Sequence, residues 1–75
     1  MTYPELQKKL SDNHFTSASI VEVGKKTKTT AIEVQAKPFM IDEQVQVIEK
    51  ILEGVDASVK KGAQNKTILV TLKNT

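Results

Sequence analysis

Apolar residues recur along the chain with two periods, and each change of period marks an element boundary. Tyr3, Leu6 and Leu10 fall at i, i+3 and i+7, one stripe of a helix. Thr2 precedes that stripe and Glu5 follows it three residues later, the pattern of a capping box. Pro4 sits in the first turn, where its missing N–H costs nothing. Lys8 and Lys9 lie toward the far end, where positive charge opposes the helix dipole favourably. Asp12-Asn13 is the expected stop, because asparagine tolerates the left-handed conformation. The spacing predicts a short helix over 3–12.

A period of two follows. Residues 15–23 read FTSASIVEV, and β-branched Ile20, Val21 and Val23 favour a strand. Ile20 and Val21 are adjacent, so the strand either bulges or makes apolar contacts on both faces. Gly24-Lys25-Lys26-Thr27 reads as a turn. Along 28–37 the alternation is clean, with Ile32, Val34 and Ala36 on one face and Ala31, Glu33, Gln35 and Lys37 on the other. Together the two runs predict a β-hairpin.

Pro38 ends the second strand, and Asp42 is the expected cap of a second helix through Leu52 or Glu53. Ile41, Val45, Ile48, Ile51 and Leu52 form its apolar stripe, with Glu43, Gln46, Glu49, Lys50 and Glu53 opposite. Val47 lies off the stripe, and Gly54 supplies the stop. Residues 56–61 predict a short strand and Gly62-Ala63-Gln64-Asn65 a turn. Along 66–73, Ile68, Val70 and Leu72 face one way and Thr67, Leu69, Thr71 and Lys73 the other. Asn74-Thr75 reads as a frayed tail.

The order is therefore α-β-β-α-β-β. Two short helices cannot bury their stripes on each other and leave a sheet dry. They are expected to cover one face of a four-stranded sheet, an α+β two-layer sandwich. The expected core is Leu6, Leu10, Ile32, Val34, Ile48, Ile51, Leu52, Ile68, Val70 and Leu72. With 75 residues the chain supports one small domain, 1–75.

Composition narrows the chemistry. Zero cysteine removes disulfides, thiolate metal sites and cysteine nucleophiles. His14 is the only histidine, and beside Phe15 it reads as a packing or capping residue. The serines show no nucleophile-elbow spacing, and the three glycines are isolated turn residues that build no phosphate loop. No catalytic residue, metal ligand or cofactor site is expected, and the chain reads as a non-enzyme. No apolar run has the length to span a bilayer and no signal peptide is evident, so a cytoplasmic location without membrane contact is expected.

Charge suggests two kinds of partner. All 11 basic residues are lysine, against 9 acids. Without arginine's planar fork, sequence-specific DNA reading is not expected, although lysine still binds phosphate as a point charge. Lysine-only composition also fits an AT-rich genome, as in many small phage or mobile-element genes. Lys25, Lys26 and Lys28 cluster at one hairpin tip, and Lys60, Lys61 and Lys66 around the other. If the third strand runs parallel to the second, the two tips lie at opposite ends of the sheet and make no common patch. Charged turns of this kind also simply keep a small domain soluble.

The sheet face turned away from the helices is expected to carry Val21, Val23, Ala31, Glu33, Gln35, Thr67, Leu69 and Thr71. It lacks the aromatic platforms on which single-strand binders stack bases. Val21, Val23 and Leu69 would form a modest apolar strip there, if neighbours, and mark a protein interface. The element order is similar to that of type II KH domains, but the G-x-x-G tetrad that clamps a nucleic-acid backbone does not occur. BolA-like proteins have a similar run of elements and typically place a histidine near the last strand, where this chain has only Val55 to Val59. Two functions are expected in turn. One is a small non-enzymatic interaction module acting through protein–protein contacts or self-association, as an accessory protein of a phage or mobile element. The alternative is a weak, non-specific nucleic-acid-binding protein using its lysine-rich hairpin tips.

Overall fold

A computed structural model of the chain describes residues 1–73, so the tail expected at Asn74-Thr75 lies outside the described residues. Its elements are α1 (Tyr3–Asp12), β1 (Ser19–Val23), β2 (Thr29–Gln35), α2 (Ile41–Ile51), β3 (Ala57–Lys61) and β4 (Thr67–Leu72). A one-turn 3₁₀ segment, Pro38–Met40, stands before α2, and a tight turn over Ala63–Asn65 joins β3 and β4. The four strands form one antiparallel sheet in the order β1-β2-β4-β3. Helix α1 packs on β1 and β2, and α2 packs on β3. The fold is the expected α+β arrangement, in the expected order, with an open sheet.

The alternation read in β2 and β4 places the core. Ile32 stands opposite Val70, and Val34 opposite Ile68. These four side chains are sealed beneath Leu6 and Leu10 of α1 and Ile48 of α2. Ala18, Ile41 and Leu52 complete the buried cluster. Ile51 and Leu72, expected in the core, are only half-buried at its border. The two ends of the chain are tied together there, since the Leu72 N–H donates to the Tyr3 hydroxyl at 3.0 Å.

The ends of α1 show local chemistry at work. Thr2 is the N-cap, its Oγ1 accepting from the Glu5 N–H, while the Glu5 carboxylate accepts from the Thr2 N–H at 3.0 Å. Hydrogen bonds to the carboxylate from the Thr2 N–H and, second, from the Thr2 hydroxyl hold the Glu5 carboxyl below its ordinary range, because they favour the charged form. The C-terminus departs from expectation. Asn13 stays at negative φ and its side-chain amide donates to the Lys9 carbonyl, while His14 takes the left-handed conformation at φ 76°. Phe15 N–H bonds to Leu10 O and His14 N–H to Ser11 O, the paired bonds of a Schellman motif. Histidine thus occupies the position that glycine fills at least cost, and Phe15 packs onto the core just beyond it.

Two boundaries differ from the sequence expectation, and the register decides between the two readings of Ile20 and Val21. Strand β1 begins at Ser19 rather than near Phe15, because the Schellman turn takes up the preceding residues. Its register from Ser19 to Val23 is continuous, so the adjacent Ile20 and Val21 lie on opposite faces without a bulge. Asp42 is not the cap of α2. The cap position is Met40, which makes no side-chain cap bond, and Asp42 lies in the first turn, paired with Lys61 of β3. The 3₁₀ turn started by Pro38 runs directly into the helix and leaves no extended residue at position 42.

Three stability measurements follow. Ile48 is fully buried, and at roughly 0.05–0.15 kcal/mol per residue the whole domain is stable by about 4–11 kcal/mol. Ile48→Ala is expected to remove about 2–5 kcal/mol in denaturant unfolding, and a loss below about 1 kcal/mol would show the stripe misassigned. His14→Gly is expected to raise stability by about 0.5–1 kcal/mol by relieving the left-handed backbone, whereas a loss would show that the imidazole itself contributes. The depressed Glu5 carboxyl contributes stability that is complete above the unfolded-state value and lost as pH falls through the lower folded value. Glu5→Gln is expected to flatten that acid limb of the stability–pH curve.

Candidate interaction face

The sheet topology decides where the lysines and the apolar candidates lie. Strands β2 and β3 both run antiparallel to β4, so they run the same way, and their two hairpin tips point to opposite ends of the sheet. Lys25, Lys26 and Lys28 are all exposed in the β1–β2 connection, as expected. Gly24 opens that connection at φ 114°, and a Cβ there would collide with the Thr27 carbonyl, so glycine is required. The second cluster does not form a tip. Lys60 and Lys61 are the last residues of β3 and point to opposite faces, and only Lys66 stands beside the turn. Lys61 is committed to Asp42 on the helix side, and alternation puts Lys60 on the open side.

At that second turn the left-handed residues are Gln64 (φ 58°) and Asn65 (φ 56°), with Lys66 N–H bonded to Ala63 O, the geometry of a type I′ hairpin turn. Gly62 has negative φ. It is needed for space, because a Cβ there would strike the Thr67 side chain.

The face away from the helices is the one that alternation assigned. In register across the four strands stand Ser19, Glu33, Leu69 and Lys60; beyond that row Val21 pairs with Ala31, and Thr71 with Ser58. Ala31 is fully buried although it faces away from the helices, and it takes no part in the core cluster. Val21, Val23 and Leu69 are each half-buried. They do not form one continuous strip, because β2 separates Val21 from Leu69 and presents Ala31 and Glu33 between them. Val23 and Leu69 do share a shallow hollow of about 480 Å³, bordered by Thr29, Thr71, Lys60 and the β1–β2 turn. Threonine hydroxyls, two apolar floors and one lysine can hold a side chain or a strand surface.

The most exposed large apolar side chain lies elsewhere. Phe39 is 83% exposed in the turn between β2 and α2. Pro38 marks a break there, and Phe39 precedes the α2 stripe that starts at Ile41, which leaves it outside both periodic patterns. Ile20, on the helix side of edge strand β1, is 43% exposed because α1 does not cover it fully. Among the described residues, no helix is long and apolar enough to cross a membrane. No protein-family model, curated protein or solved structure matches the chain.

Proposed function

We propose that this chain is a small non-enzymatic interaction module acting through protein–protein contacts on the uncovered face of its sheet. One observation carries the reading. Both helices lie on the same side of the sheet, and the other side gathers Val23 and Leu69 around a hollow with a single lysine at its border. Surfaces that mix small apolar area with hydroxyls and isolated charge suit specific, reversible contact. The same reading makes the module a cytoplasmic accessory protein of the phage or mobile-element kind, in keeping with its lysine-only basic composition. Phosphate binding is the weaker reading, because the described lysines offer one tip of three, Lys25, Lys26 and Lys28, and no second tip beside it.

The two readings separate by mutation. Val21→Lys and Leu69→Lys are expected to abolish partner retention in pull-down and light scattering while circular dichroism stays native. Replacing Lys25, Lys26 and Lys28 together by alanine is expected to leave that contact intact. If the lysine variant alone lost function, and binding fell with a slope of log K against log salt near about −3, the protein would be a nucleic-acid binder instead.

A further inference from the structure

We infer that the occupant of the open face is a second copy of this chain, docked sheet to sheet about a two-fold axis running along the strands. This rests on the reading of that face as the contact surface. One row of the open face, Ser19, Glu33, Leu69 and Lys60, is aligned by the register across all four strands. Glu33 is half-buried and Lys60 exposed, and among the described residues neither is in an ion pair. They stand on either side of Leu69, two strands or about 10 Å apart, and are not paired across it.

A two-fold axis along the strands leaves each row facing the same row of the second copy, with its left-to-right order reversed. Centred over the β2–β4 pair, the axis overlaps all four strands. Glu33 then faces Leu69 of the second copy, and Lys60 of that copy lies about 4.8 Å to the side across the roughly 10 Å between packed sheets, a span that the opposed glutamate and lysine side chains cover together. The contact repeats by symmetry, so one operation joins two opposite-charge pairs around two leucines. The other in-plane axis, running across the strands over this row, sets Glu33 against Glu33 and Lys60 against Lys60. Like-charge contact of that kind is unfavourable, so charge selects the first arrangement.

The footprint sets the strength. Strands of five to seven residues, four abreast, make a face roughly 20 Å on a side. That area falls short of the roughly 1,200 Å² in total that stable complexes bury, so association is weak and depends on concentration.

Sedimentation equilibrium on the whole chain, from about 10 μM to about 1 mM, tests this. The wild type is expected to rise in weight-average mass across the range, and to rise less at high salt. Glu33→Lys and Lys60→Glu are each expected to raise the midpoint concentration at least about tenfold. An equimolar mixture of the two variants is expected to associate again, because each chain then carries the charge the other lacks. A monomeric wild type, or a mixture no better than its components, overturns the inference. Leu69→Lys separates this failure from failure of the interaction-face reading. If it abolishes association while the charge reversals do nothing, the face stands and this docking falls. If association survives it unchanged, both fall. Melting curves followed by circular dichroism exclude unfolding as the cause in every arm.

Discussion

Pairing of Ile32 with Val70 and Val34 with Ile68 across the β2–β4 ladder is the contact on which the other elements depend. These side chains lie at the centre of the sheet, on one face only, and are at most 1% exposed. Their burial requires a cover on that face, which Leu6, Leu10 and Ile48 supply. On the opposite face the same strands carry Ala31, Glu33, Leu69 and Thr71, a composition that sustains no second apolar layer. One-sided alternation in two strands therefore determines that both helices stack on one side and that the other side stays open.

Topology then converts chain order into separation. Because α2 carries the chain from the end of β2 back to the start of a parallel β3, the slot between them is filled by β4, and the two hairpin tips are driven apart. Lysines that are close in composition end up divided by the thickness or the length of the sheet. Lys61 is held against Asp42 at the start of α2, Lys60 looks out from the open face, and Lys66 marks the far turn. The positive charge is thus spread over surfaces with different neighbours, and within the strands the open face carries one lysine, Lys60, and one glutamate, Glu33.

Backbone conformation is less economical than the core. His14, Gln64 and Asn65 all adopt positive φ without being glycine, while Gly62 has a negative φ and serves only to clear Thr67. Histidine and asparagine tolerate that region better than most residues, which limits the cost. The capping box at Thr2 and Glu5 and the Tyr3–Leu72 hydrogen bond counter this at the other end of α1.

The element order, the helical stripes, the faces of β2 and β4 and the capping box were legible from residue order alone. Each depends on spacing within a few residues, and local geometry turns spacing directly into direction. The placement of Asp42, the left-handed His14 and the true start of β1 were not legible, because each depends on how one element enters the next. Strand order lay outside the sequence as well: the alternation says which residues share a face but not which strands are neighbours. Only the tertiary structure put Glu33, Leu69 and Lys60 in one row while separating Val21 from Leu69, since hydrogen-bond register between distant segments is set by the shared core beneath them and not by either segment alone.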